Sequence, residues 1–173
     1  SGITIDLATG TGSLGDAAGD TFSNFFSFIG TDYNDHITAG SQYESFDAGA
    51  GDDTVIGGDA SDNFYDNDGG DDYDGGNNDQ NGDTVYYSNV LADLTVDLTT
   101  GNASGGAANN DTLTNIENIS GTYNFVNHLT GNDDANRLLG GDLADTLIGL
   151  GGDDTFSFTD DGDIIDGGDG YDI

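Results

Sequence analysis

Along this chain apolar residues return at intervals of nine rather than of three or four. From Gly30 the sequence divides into "GTDYNDHIT", "AGSQYESFD", "AGAGDDTVI", "GGDASDNFY" and "DNDGGDDYD". The eighth place is always apolar: Ile37, Phe46, Val55, Phe64 and Tyr73. A sixth, looser turn starts at Gly75 and is interrupted by "NNDQN". The register returns in "GNDDANRLL", "GGDLADTLI", "GLGGDDTFS" and "FTDDGDIID", with Leu138, Leu147, Phe156 and Ile165 in the eighth place, and "GGDGYDI" opens another turn. One apolar site in nine does not make a helical stripe, whereas a short strand followed by a turn needs no more. Places seven to nine alternate out, in, out, and the glycine-rich first half supplies a turn that tolerates positive φ. The pattern therefore predicts short strands stacked in parallel into a coil, each turn dependent on its neighbours.

A longer period contains this one. "ITIDLATG" (Ile3 to Gly10) returns as "LTVDLTTG" (Leu94 to Gly101), and "GDTFSNFFSFIGT" returns as "NDTLTNIENISGT", both 91 positions later. After one inserted residue "DHIT" (Asp35 to Thr38) is answered by "NHLT" (Asn127 to Thr130). The chain thus reads as two tandem units, 1–91 and 92–173. Each has lead-in strands (1–29 and 92–120) followed by nonapeptide turns (30–85 and 121–173). The fold class expected is all-β: a right-handed parallel β-roll, or β-solenoid, of stacked nonapeptide turns.

Charge complicates that picture. The 173 residues carry 34 acidic groups against a single base, Arg137, for a formal charge of −33, with 30 Gly and no Pro, Cys, Met or Trp. Such a balance ordinarily means disorder, because a self-repelling chain cannot offset its ordering entropy. Yet 34% of residues are hydrophobic, with eight Tyr and nine Phe, and the turns keep strict phase. The alternative is a fold completed by bound cations. The same charge makes nucleic acid and anionic membranes poor partners. No apolar run is long enough for a transmembrane segment, and "SGITIDLATG" lacks the basic start and apolar core of a signal peptide.

The sixth place carries the chemistry. It holds Asp35, Glu44, Asp53, Asp62 and Asp71, then Asn136, Asp145, Asp154, Asp163 and Asp172. Stacked about 4.8 Å apart, bare carboxylates repel by roughly 3–4 kcal/mol per pair at an effective dielectric near 20. A hard divalent cation between turns reverses that sign. With no thiolate available, oxygen ligands remain, and calcium accepts six to eight of them in flexible geometry where magnesium demands a tight octahedron. Several Ca²⁺ ions are the cofactor expected.

"AGAGDDTVI" and "GGDLADTLI" resemble G-G-x-G-x-D-x-U-x, the nonapeptide of RTX (repeats-in-toxin) proteins, whose parallel β-roll binds Ca²⁺. The segment from Ile3 to Asp35 resembles the strands that precede such repeats, so the likeness covers nearly the whole chain. The resemblance implies that two nonapeptides complete one coil and that each ion sits in a turn between motif n and motif n+2. Carried over by position, the carboxylate ligands are Asp35, Asp53, Asp62, Asp71, Asp145, Asp154, Asp163 and Asp172. Turn carbonyls come from Gly49, Gly51, Gly58, Gly141 and Gly152. Glu44 and Asn136 put a longer and a neutral group in the acidic place, Ala60 replaces the fourth-place glycine, and "DNDGG" lacks the opening pair, so fewer ions than turns are expected. The resemblance further implies type I secretion and an extracellular or cell-surface bacterial location. The function expected is a non-enzymatic scaffold that folds on Ca²⁺ outside the cell, and because the first unit runs straight into the second, a longer array or self-assembly into a filament or surface layer is expected.

Other readings use the same residues. A carbohydrate-binding accessory module would present Tyr33, Tyr43, Tyr65, Tyr86, Tyr87 and Tyr123 as a sugar-stacking surface, although packing or incidental exposure is the reading expected first for these residues. "DNDGGDD" from Asp66 has the start of an EF-hand loop, but its twelfth place is Asn77 rather than Glu. His36 and His128 occupy matching seventh places and read as outward strand residues rather than zinc ligands. Asn102 and Asn118 fit the glycosylation pattern. Ice binding wants a rank of identical residues, and the seventh places form none. No nucleophile motif appears.

Overall fold

The structure, a computed structural model, describes residues 1–77, 80–157 and 162–173. The "NNDQN" interruption and the opening of "FTDDGDIID" therefore fall partly outside the described residues. Among those described, the only helical pieces are 3-10 turns at Gly15–Ala17 and Gly106–Ala108. Nine short strands come first: β1 Thr4–Asp6, β2 Thr11–Ser13, β3 Ser27–Thr31, β4 His36–Thr38, β5 Ser45–Gly49, β6 Thr54–Ile56, β7 Asn63–Tyr65, β8 Asp72–Asp74 and β9 Thr84–Tyr86. Nine more follow: β10 Leu94–Asp97, β11 Asn102–Ser104, β12 Thr112–Thr114, β13 Asn118–Ser120, β14 Asn127–Thr130, β15 Arg137–Leu139, β16 Thr146–Ile148, β17 Thr155–Ser157 and β18 Ile164–Asp166.

Successive nonapeptides alternate between two sheets. One has eleven strands, in the order β18-β16-β14-β10-β11-β12-β8-β6-β4-β1-β2, and the other seven, β17-β15-β13-β9-β7-β5-β3. Each strand pairs in parallel with the strand two turns on, Ile37 with Val55 and then Tyr73 in one sheet, Phe28 with Phe46 and then Phe64 in the other. Two nonapeptides thus make one coil of a parallel β-solenoid.

The lead-in strands depart from this stack. β1–β2, β10–β11 and β11–β12 pair antiparallel; the first two pairs reverse at Gly10 and Gly101, both in the left-handed region (φ 68° and 67°). The hairpin and 3-10 turn of the first copy recur in the second, as the 91-residue period predicts. The sheets run on across residue 91: β12 pairs with β8 and β13 with β9, so the two copies share both sheets.

Eighth-place side chains form the core. Ile37, Phe46, Val55, Phe64, Tyr73, Leu138 and Leu147 are all but inaccessible to solvent. Phe64 lies between Phe46 and Tyr73, with ring centroids 5.8 and 5.5 Å away. Phe156 is only partly buried, and Ile165, on the edge strand β18, is 39% exposed. His36, His128 and Arg137 occupy exposed seventh places, as alternation requires.

Two glycine places show why the turn cannot carry side chains. At the first place a Cβ on Gly149 would lie 2.1 Å from Asp154 Oδ2. At the second, Gly58 (φ +106°) passes so close to the preceding coil that its Cβ would meet Gly40 O at 2.2 Å.

Candidate metal centre

The sixth place stands two residues before the inward eighth, so it too faces in. Asp35, Glu44, Asp53, Asp62, Asp71, Asn136, Asp145 and Asp154 are buried, while Asp163 and Asp172, nearer the open end, are half-buried. Each carboxylate reaches to the coil before it. The backbone N–H of Asp35 donates to Asp53 Oδ1 (2.7 Å) and that of Asp53 to Asp71 Oδ1 (2.9 Å). Glu44 N–H donates to Asp62 Oδ1 (2.6 Å), and Asn127 N–H to Asp145 Oδ1 (2.7 Å). The column continues from Asp145 to Asp163 (2.9 Å), from Asn136 to Asp154 (2.8 Å) and from Asp154 to Asp172 (3.1 Å). Every carboxylate predicted as a ligand is a rung of these ladders, although no single point gathers them.

The second oxygen behaves differently. Among the described residues no hydrogen-bond donor reaches Asp53 Oδ2, Asp62 Oδ2, Asp154 Oδ2 or Glu44 Oε2. Those of Asp62 and Asp154 lie over the first-place glycine, beside a carbonyl of the next coil. The point a Cβ would occupy on Gly57 is 2.6 Å from Gly75 O and 2.7 Å from Asp62 Oδ2. On Gly149 it is 2.6 Å from Gly167 O and 2.1 Å from Asp154 Oδ2. A carboxylate oxygen and a carbonyl oxygen from successive coils thus face one gap with no proton between them, which suits a hard cation. Two rungs are already satisfied. Asp35 accepts from Ile3 N–H, Thr31 N–H and Thr31 Oγ1, and Asp71 Oδ2 accepts from the Tyr73 hydroxyl at 2.7 Å.

The predicted glycines divide into two sets. Gly51, Gly58 and Gly152 turn their carbonyls toward the glycine of the next coil, at 1.9, 2.4 and 1.8 Å from the Cβ positions of Gly69, Gly76 and Gly170. The Gly58 carbonyl is also taken by the Asn77 N–H (2.7 Å). Gly49 and Gly141 are packed instead against the carbonyls of Thr31 and Thr122 in the coil before.

Sequence reasoning missed three rungs. Asp83 accepts from Asp62 N–H (2.6 Å), Asp111 from Asp71 N–H (2.9 Å), and Glu117 from Asp83 N–H (2.8 Å). The signal for the first two is the D-T-apolar triplet of "DTVY" and "DTLT", shared with "DTVI" and "DTLI". Asp66 was missed as well: it is fully buried, and its oxygens lie within 4.8 Å of oxygens of Asp71 and Asp111.

Burial and like charge act on these groups as on any acid cluster. Burial above all, then the neighbouring acids, pushes Asp53, Asp62 and Asp83 up to about 7. It raises Glu44, Asp71 and Asp154 as well, and the facing pair Asp66 and Asp111.

The tyrosine surface is only partly present. Tyr87 is fully buried, since it follows β9 into the core, and is lost to such a surface; Tyr65 and Tyr86 stack at 4.8 Å. A trough of about 290 Å³ beside them is lined by Tyr43, Asn63, Thr84, Tyr86, Asn118 and Arg137. Of the glycosylation asparagines, Asn118 is buried, its amide donating to Asn81 O at 2.9 Å, which closes it to modification in the folded chain. Among the described residues no helix is long and apolar enough to cross a membrane.

Fold and site together define a parallel β-solenoid with ladders of buried carboxylates along its turns. No family model matches the chain, and no curated protein matches it.

Proposed function

We propose that this chain is a calcium-binding repeat region of the RTX kind, part of a secreted bacterial protein, which folds on Ca²⁺ outside the cell and serves as an extracellular scaffold. One observation carries the reading: at Asp62, Asp83 and Asp154 a buried carboxylate oxygen without a donor faces a carbonyl of the next coil across a glycine kept bare. Asp53, Asp62, Asp145, Asp154, Asp163 and Asp172 would hold the ions, with carbonyls of Gly51, Gly58 and Gly152. Asp35 and Asp71 are weaker candidates because protein donors already bond their carboxylates. Bound calcium would supply the positive charge that the gaps lack. The chain's own part is to present deprotonated oxygens at a fixed spacing and to exclude side chains from the gap. Where calcium is scarce the repulsion stands and the chain stays unfolded; at millimolar extracellular calcium it folds.

Far-UV circular dichroism in EDTA, titrated with CaCl₂ and with MgCl₂ at matched ionic strength, tests this. The expected result is a cooperative change from coil to β with calcium alone. A β spectrum that calcium leaves unchanged would remove the ions from the account of folding.

A second reading, a carbohydrate-binding accessory module, is favoured by the trough of Tyr43, Tyr86, Asn63, Asn118 and Arg137, which offers aromatic faces beside amide groups. Affinity electrophoresis against neutral and acidic polysaccharides, with Tyr86→Ala as control, decides it: retardation of the wild type alone supports a glycan partner.

A further inference from the structure

The first place of the nonapeptide is otherwise small wherever it is described in the two arrays: Gly30, Ala39, Ala48, Gly57 and Gly75, then Gly131, Gly140, Gly149 and Gly167. Asp66 alone brings a charge there. Because a first-place Cβ points at the sixth-place carboxylate, its side chain is delivered to Asp71 of its own turn and to Asp111 of the next coil. Oxygens of the three acids lie within 4.8 Å of one another, and none of the three is more than 1% exposed. Neither oxygen of Asp66 nor Oδ2 of Asp111 accepts a hydrogen bond at ordinary geometry. A second observation does not depend on the acids. The Tyr87 hydroxyl is fully buried, lacks a partner at ordinary hydrogen-bond geometry, and is turned toward Asp111 and Asp66. Tyr73 brings a further hydroxyl, already on Asp71. No basic side chain is available, since the chain's single Arg is exposed on β15.

We propose that Asp66, Asp71 and Asp111 hold one calcium-class cation inside the core, at the seam where the first repeat array meets the lead-in strands of the second copy, with the Tyr73 and Tyr87 hydroxyls beside it. Three carboxylates with no basic partner ask for a hard cation of high charge, and an all-oxygen set selects the calcium class over thiolate- or imidazole-seeking metals. This site goes beyond the ladder. Asp71 and Asp111 are rungs of it, but Asp66 and Asp111 lie outside the nonapeptide ligand set, and side chains rather than turn carbonyls make this site. Its place gives it a consequence of its own. The Asp71 N–H donates to Asp111 Oδ1, and β8 pairs with β12 directly after, so an ion there ties the two copies together.

The test uses the full chain and its variants Asp66→Gly, which restores the ordinary first-place residue, and Asp66→Asn, which keeps the size and removes the charge. Bound calcium is counted by equilibrium dialysis at saturation, and melting is followed in CaCl₂ and in EDTA at an acidity where the metal-free chain is folded. Both variants are expected to bind one ion fewer than wild type, to melt higher than wild type in EDTA, and to gain less on adding calcium. If Asp66→Gly fails to fold, the ion count of Asp66→Asn decides. An unchanged ion count in a wild type that folds on calcium would overturn this site alone, leaving the three acids held by protons. A wild type that binds no calcium would overturn both this site and the ladder reading.

Discussion

Without metal, this protein should gain stability as the solution is acidified, the reverse of ordinary acid denaturation. Asp53, Asp62 and Asp83 have folded pKa values of about 7, raised by burial and by neighbouring acids, whereas an unfolded aspartate titrates near 3.9. Between those values the folded chain holds protons that the unfolded chain has released. Protonation therefore favours the fold: its contribution is complete below about pH 4 and is lost as the pH rises through about 7. Each proton held only by the folded state contributes about 1.4 kcal/mol per pH unit. The three groups cannot be summed, because solvent reaches the turns and neighbours share protons. One net proton alone gives about 3 kcal/mol between about pH 6.5 and 4.5. The assay is thermal unfolding in EDTA, followed by far-UV circular dichroism from about pH 8 to 4.5, where the melting temperature, or the β fraction of a chain unfolded at pH 8, should rise. In CaCl₂ the dependence should invert, since calcium needs the carboxylates ionised. A metal-free chain whose stability is flat, or falls, from about pH 7 to 5 would refute the burial argument for these rungs.

Three substitutions probe the parts separately. Gly149→Ala puts a methyl group 2.1 Å from Asp154 Oδ2 and 2.6 Å from Gly167 O; it should destabilise by about 1–3 kcal/mol in urea titrations and weaken the calcium response of that turn. Phe64→Ala empties the middle of the Phe46–Phe64–Tyr73 stack and should cost about 3–5 kcal/mol both in calcium and in EDTA at an acidity where the metal-free chain is folded, as read by the same titrations. Asp154→Asn and Asp154→Ala should have opposite signs in EDTA at an acidity where the metal-free chain is folded. The amide still accepts the Asn136 N–H and relieves charge, whereas alanine strands that buried N–H at about 1–3 kcal/mol, and melting temperatures separate the two. Both should bind less calcium than wild type in dialysis.

What the sequence disclosed was whatever repeats. The eighth places from Ile37 to Leu147 are core because a period of nine with inside-outside alternation leaves them no other face. What it hid depends on contacts between residues far apart. Val85 keeps register with Phe64 at a separation of 21, because the three extra residues of the sixth turn are accommodated ahead of β9. Asp83 is carried into the ladder with it. Asp111 and its 91-residue counterpart Asp20 look alike in sequence, yet only Asp111 is a rung. β12 has the coil of β8 to stack on, whereas Thr21, after Asp20, makes no more than an isolated bridge to Thr11. Asp66 drew attention as the start of an EF-hand loop, when what matters is the missing first-place glycine, whose meaning depends on where a first-place Cβ points.

The two asparagines within the ladder indicate what the other rungs lack. Asn127 stands where the first copy has Asp35. Its amide oxygen accepts the Thr122 N–H, as Asp35 Oδ2 accepts that of Thr31. Its amide nitrogen meets four acceptors at once: Gly140 O at 2.7 Å, Thr122 O at 2.9 Å, Phe125 O at 3.0 Å and Asp145 Oδ1 at 3.1 Å. Asn136 likewise donates to Glu117 O at 3.0 Å and Asn132 Oδ1 at 3.2 Å. The turns are thus rich in acceptors, and a side chain that brings donors is absorbed by them. An aspartate on such a rung brings only more acceptors and a charge. The balance must then be met from solution, by protons when the pH is low and by cations when they are abundant. On the function proposed above, protons and calcium would compete for the same oxygens, and the pH dependence in EDTA and the calcium dependence at neutral pH would be two readings of one deficit.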